Sequence, residues 1–214
     1  DDETLTVVDE IPVPTLRAQA LPYRNLFRLN SDGSLIFVQN ATPATSVTVV
    51  DIASKRNFET QGPGCYGLYP ALANPMRFAT LCGDGTATTY TIGADRASAQ
   101  LKSNAKFFDP QNDPLYTHAE RDRDGYVFIT YSGKFMRLAV DGDTVVAQPA
   151  GDVAEGQKGW APGGYQPFAY DAQSGLAYVL MHDKAAEGSH KAPSVEIWAY
   201  DLRARKVVAR SPVA

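Results

Sequence analysis

The chemistry on offer in this sequence is confined to three histidines, two cysteines, one run of alternating acids and one bend between aromatics. His182 and His190 bracket a polar loop, Asp183–Ser189, and two imidazoles on one loop would supply half of a metal site. No third ligand is visible beside them, so hydrogen bonding of the rings to loop backbone is the better reading, and His118 stands alone. Glu120, Asp122 and Asp124 alternate before Gly125 as the acids of an EF-hand loop do, but the twelfth position is Tyr131, where a bidentate Glu should sit. A β-turn carrying exposed charges fits that stretch better. Trp160-Ala161-Pro162-Gly163-Gly164-Tyr165 makes a sharp turn between two rings. It can present a ring to a partner or pocket, or simply cover a sheet edge. Cys65 and Cys82, with sixteen residues between them, suit either a bridge between neighbouring strands or two buried thiols. The spacing is neither that of a redox C-x-x-C pair nor that of a zinc site. Asn40-Ala41-Thr42 matches a glycosylation sequon, a triplet frequent by chance. Nucleophile-elbow, Walker, dinucleotide-binding and H-E-x-x-H signatures are absent.

Composition narrows the partners. The 214 residues are 44% hydrophobic, enough for one large domain or a repeat array. A net charge of −4 with interspersed signs leaves no basic stripe, which argues against nucleic acid and anionic membrane as partners. No window approaches ~18 consecutive apolar residues, so no helical span is expected. The acidic start, Asp1-Asp2-Glu3, is not an intact signal peptide and fits a mature N-terminus.

The elements that must position these residues read as strands. Ser34–Val38, Ser46–Val50, Gly125–Tyr131, Ala177–Leu180 and Val195–Tyr200 are β-rich, and turn sequences such as Ser31-Asp32-Gly33, Gly83-Asp84-Gly85 and Asp141-Gly142 punctuate the chain. Helical periodicity is missing. A repeat emerges around Asp51, Asp95, Asp141 and Asp201, spaced by 44, 46 and 60 residues; each closes an apolar strand and precedes a more polar one. A period of roughly 40 to 50 residues with about four strands per unit is that of a β-propeller blade. The fold class expected is therefore all-β, with blades near 20–60, 61–104, 105–150 and 151–214. The end of another is expected at 1–15, from Leu5–Val8 and Ile11–Pro14. A β-sandwich is the competing architecture. Four blades and a part do not close a ring, so blades are expected to be missing on both sides.

Several strings resemble one family, the heavy subunits of tryptophan tryptophylquinone amine dehydrogenases. They include Leu26–Gly33, Gln39–Val47, Gly64-Cys65-Tyr66, Leu81–Gly85, Gly159–Gln166, Tyr178–His182 and Glu187–Pro193, in collinear order over nearly the whole chain. The resemblance implies a seven-bladed propeller, of which this chain holds about four blades, in a periplasmic α2β2 assembly. It implies that the quinone and the catalytic base belong to the small subunit and that no cofactor is bound here. Primary amine would be oxidised to aldehyde and ammonia, with electrons leaving to a small copper protein or cytochrome. It further implies a disulfide between Cys65 and Cys82. Trp160, Tyr165, His182 and His190 become candidates for the subunit interface or channel wall. The strings around His182–Pro193 and Gln39–Ser46 look more like the aromatic amine enzymes, and Gly64–Pro70 more like the methylamine enzymes. The alternative function is a non-catalytic periplasmic propeller that binds a ligand or protein partner. A self-contained hydrolase or lyase would need converging acids or histidines, and no such set is recognisable.

Overall fold

The computed structural model describes residues 2–13, 23–41 and 44–213, and in these the strands gather into four antiparallel sheets. The first contains β1 (Phe27–Leu29), β2 (Leu35–Asn40), β3 (Ser46–Asp51) and β4 (Asn57–Gln61). The second contains β5 (Cys65–Pro70), β6 (Arg77–Cys82), β7 (Ala87–Ile92) and β8 (Ala99–Ser103). In the third lie β9 (Glu120–Asp122), β10 (Gly125–Ile129), β11 (Lys134–Ala139) and β12 (Val146–Asp152). The fourth holds β13 (Ala161–Pro162), β14 (Phe168–Asp171), β15 (Leu176–His182), β16 (Glu196–Asp201) and β17 (Lys206–Pro212), with β13 and β14 both paired to β15. Strand order follows chain order in every sheet, so each is a meander of hairpins.

The residue pattern explains which strands sit inside. β3 reads Ser-Val-Thr-Val-Val-Asp and is buried on both faces, whereas the outer β8, Ala-Gln-Leu-Lys-Ser, is exposed along most of its length. Neighbouring sheets pack face to face in sequence. Leu35, Phe37, Val47 and Val49 of the first meet Leu68, Phe78, Tyr90 and Ile92 of the second. Tyr69, Ala79 and Leu81 of the second meet Tyr126, Phe128 and Leu138 of the third, and Val127, Ile129 and Phe135 of the third meet Val179, Met181, Trp198 and Tyr200 of the fourth. Each fully buried apolar side chain stabilises the stack by about 2 kcal/mol. The innermost strands converge, β1 against β5 and β9 against β14. Sheets stacked in sequence around converging first strands are the blades of a β-propeller.

The repeat aspartates fall in the hairpins between the third and fourth strands. Asp51 Oδ1 accepts from the Ser54 N–H, Asp95 Oδ1 from Ala97, and Asp201 Oδ1 from Arg203 and Ala204, so each caps its own turn. Asp141 instead accepts from Ala73 and Asn74 in the second sheet, tying one blade to the one before it. Two tyrosines do likewise from the third strands. Tyr90 hydroxyl reaches Gln61 O at 3.4 Å, and Tyr200 hydroxyl accepts from the Asp152 N–H at 3.1 Å. Gly151, at φ +135°, leaves room for that ring, since a Cβ there would lie 2.1 Å from the Tyr200 hydroxyl.

One expectation reads differently in the structure. Residues 5–8, strand-like in composition, form no strand; Leu5, Val7 and Val8 are largely exposed and pair with none of the four sheets. A strand needs a ladder partner, and composition alone supplies none. Pro14, at the end of that segment, lies outside the described residues. Asn40 is fully buried and donates to the hydroxyls of Ser46 and Thr48, so its side chain is not available as a glycan acceptor.

Candidate functional site

The innermost strand of the fourth sheet is broken in two, and the break holds the Pro-Gly-Gly bend. Pro162 lies within the short β13 rather than in the turn itself; the chain loops out over residues 163–167 before β14. Pro is tolerated on this innermost strand because its other side has no ladder to feed. Gly163 donates to Leu180 O and Gly164 to His190 O, which lays the 183–192 loop directly on the bend. The approach is close: a Cβ on Gly163 would sit 2.5 Å from Ala192 O and 2.9 Å from the His182 ring. Thus the two segments singled out in sequence form one platform.

Each ring on that platform has a defined seat. Trp160 packs on Trp198 with centroids 5.0 Å apart, and the Arg210 guanidinium covers both at 4.7 and 4.1 Å. Glu196 Oε2 accepts from Arg210 Nε at 2.8 Å and from Trp198 Nε1 at 2.5 Å, which fixes the cation over the rings and holds the carboxyl below its usual range. His190 stacks on Tyr131 of the third sheet, and the Tyr116 hydroxyl sits between His190 O at 2.8 Å and Pro162 O at 3.0 Å. His182 is 2% exposed; Nδ1 accepts from the Lys184 N–H at 3.3 Å, while Nε2 is buried without a hydrogen-bond partner among the described residues. Tyr165 is the outward element, 59% exposed, with Lys191 Nζ 5.5 Å from its ring centroid.

Electrostatics keep both platform imidazoles neutral near pH 7. Burial lowers His182 and His190 below the ordinary histidine value, and Lys191 lowers His190 further. Among the described residues, no three or more of His, Cys, Asp and Glu come together as a metal site. The acid run 120–125 is a hairpin turn: Glu120–Asp122 is β9, Asp122 accepts from Arg137 Nε at 2.7 Å, and Gly125 opens β10. The arrangement is a set of locked rings from which one aromatic, Tyr165, projects.

Cys65 and Cys82 stand opposite each other on β5 and β6 and form a disulfide. Sequence reasoning missed Tyr116 and Tyr131, which lie 74 and 59 residues from His190 and follow no local pattern. It also missed the pair His118–Glu120, 3.0 Å apart, whose imidazole nitrogen is also 3.0 Å from Phe168 O. The alternation His118-Ala119-Glu120 was the available signal, since it puts both side chains on one face of an extended chain. Among the described residues no helix is long and apolar enough to cross a membrane.

Comparison with known proteins fits this architecture. The chain is similar to the methylamine dehydrogenase heavy chain of Methylorubrum extorquens, 29% identical over 213 residues, covering 96% of this chain and 51% of that one. It is 31% identical over 204 residues to the methylamine dehydrogenase heavy chain of Paracoccus versutus, covering 91% and 46%. The chain thus spans about half the length of the curated relatives it matches. Among solved structures it resembles the dihydro-heme d1 dehydrogenase NirN (TM-score 0.58, 14% identity, 88% of this chain and 36% of that one). It also resembles the β-propeller domain of Myceliophteria thermophila Cps50 (TM-score 0.54, 12% identity, 89% and 55%). These two likenesses bear on fold alone. Residues 1–213 match the family described as methylamine dehydrogenase heavy chain, and the chain belongs to that family.

Proposed function

We propose that this chain holds about four blades and part of another of a seven-bladed propeller, the structural heavy subunit of a periplasmic quinoprotein amine dehydrogenase. Its partner is a small subunit that carries the tryptophan tryptophylquinone and the catalytic base; two of each make an α2β2 assembly. The complex oxidises a primary amine to aldehyde and ammonia and passes electrons to a small copper protein or cytochrome. The observation that carries this reading is the family match over residues 1–213. Relatives about twice as long support further blades, as does the apolar far face of the fourth sheet, where Tyr178, Ile197 and Val208 are exposed. The disulfide supports an oxidising compartment. Trp160, Tyr165, His182 and His190 belong to a docking platform for the small subunit, with Tyr165 making the contact and the other three holding the loop.

Two substrate classes are in play. The relatives are named for methylamine; the strings around His182–Pro193 look more like the aromatic amine enzymes. Full-length heavy chain coexpressed with the neighbouring small-subunit gene should copurify with it, show quinone absorbance and reduce an artificial electron acceptor with an amine. Comparing methylamine with phenethylamine decides the class. Absence of both a partner and quinone absorbance would leave the non-catalytic propeller as the function.

A further inference from the structure

The converging first strands enclose a second feature, which borders the platform at Tyr165. A cavity of about 1000 Å³ lies on the axis, bounded by β1, β5, β9 and the 165–166 bend, so all four sheets contribute to its wall. Three arginines line it, Arg24, Arg28 and Arg121, against a single lining carboxylate, Glu120. Glu120 already faces His118 Nε2 at 3.0 Å. Among the described residues, the ion pairs made by arginines use Arg77, Arg96, Arg137 and Arg210; none uses the three in this cavity.

Arg28 and Arg121 also converge. Arg28 comes from the first sheet and Arg121 from the third, 93 residues later, yet both line this cavity together with Tyr126, a residue with a buried hydroxyl. That hydroxyl spends its proton on Pro70 O at 2.7 Å, so its oxygen is left to accept. Two guanidiniums on the wall of one cavity repel each other, and a bound anion relieves the repulsion. Guanidinium forks match the paired oxygens of carboxylate and phosphate groups. Phe27 and Leu29, both about half exposed on β1, give the same cavity an apolar flank.

We propose that the axial cavity is a binding site for a small oxyanion, a carboxylate or phosphate group held between Arg28 and Arg121. Arg24 adds to the positive field at the rim. The proposal does not rest on the dehydrogenase reading.

The test is isothermal titration of the full-length heavy chain, with its small subunit if that copurifies, at low ionic strength. Inorganic phosphate and succinate serve as separate probes, with chloride as the control. One saturable site per heavy chain is expected for at least one of the two oxyanions. The double variant Arg28→Gln, Arg121→Gln should weaken it by about tenfold or more. Because Arg28 is part-buried on β1, Arg121→Gln alone, at an exposed position, is measured in parallel and should show a smaller loss. Thermal unfolding confirms that each variant is folded. Preference for phosphate or for succinate identifies the source class. No saturable heat with either probe, or binding unchanged in folded variants, overturns the proposal. The first result would mean that groups elsewhere in the full chain already neutralise the arginines.

Discussion

The rings of Tyr131 and His190 stack 4.1 Å apart at an interplanar angle of 17°, joining a hairpin turn of the third sheet to the long loop of the fourth. That stack, together with the Tyr116 hydroxyl, holds the platform across a blade boundary. His190→Ala should therefore lower stability by about 1 kcal/mol, the usual worth of such a ring pair. Denaturant unfolding measures it, and a loss also seen in Tyr131→Ala but not summed in the double variant would show that the two residues act as one unit.

The same imidazoles set a pH dependence. His182 and His190 titrate lower in the fold than in the unfolded chain. The folded state resists protonation, so stability is complete above the unfolded value of about 6.5 and falls as pH drops through it. Melting temperatures at a series of pH values should decline below neutrality, and His190→Phe should flatten that decline. Asp51 contributes to a separate acid limb, held at about 2 by the Ser54 N–H and then by Arg96. Its contribution is present above the ordinary carboxylate range and is lost as pH falls toward about 2. Asp51→Asn should shrink that limb, which Glu196 shares, without altering the one near neutrality.

Trp160 and Tyr165 separate the two duties of the platform. Trp160→Ala removes a ring packed on Trp198 and under Arg210, so it should cost about 3 kcal/mol of stability. Tyr165→Ala should leave the melting temperature unchanged and weaken small-subunit affinity about tenfold, as for an exposed aromatic anchor. Surface plasmon resonance against the purified small subunit reads the second effect; unchanged affinity would remove Tyr165 from the interface.

Gly151→Ala tests the latch between the third and fourth sheets. The new methyl meets the Tyr200 hydroxyl and the backbone sits at positive φ, for a combined cost of about 3 kcal/mol. Tyr200→Phe alone forfeits the bond from Asp152, about 1 kcal/mol. The pair together should be less destabilising than their sum, because removing the hydroxyl removes the atom the methyl strikes.

Losing the Cys65–Cys82 bridge, through Cys65→Ala with Cys82→Ala, should cost about 3 kcal/mol for a loop of this length. The check is a urea midpoint compared with wild type under oxidising and reducing conditions; only the wild type should shift.

The legible part of this fold was its local chemistry. Asp51, Asp95 and Asp201 advertised the repeat because each hydrogen-bonds within a few residues of itself, so the spacing of the caps is the spacing of the sheets. The loop from His182 to His190 and the bend at Gly163 were each visible, but not that one lies on the other, since that depends on backbone bonds such as Gly164 to His190. Arg28 and Arg121 were invisible as a pair for the same reason. Leu5–Val8 shows the reverse case, a run with strand composition that pairs with none of the four sheets among the described residues.

The backward reach of Tyr90, Asp141 and Tyr200 gives the stack of sheets a direction in time. Each of these side chains belongs to a sheet made after the one it fastens. A polypeptide delivered from its N-terminus therefore leaves the rim of every sheet unfastened until the following one has emerged. A pause in delivery strands the newest sheet with its rim open, and that segment is where a protease or a chaperone would find purchase.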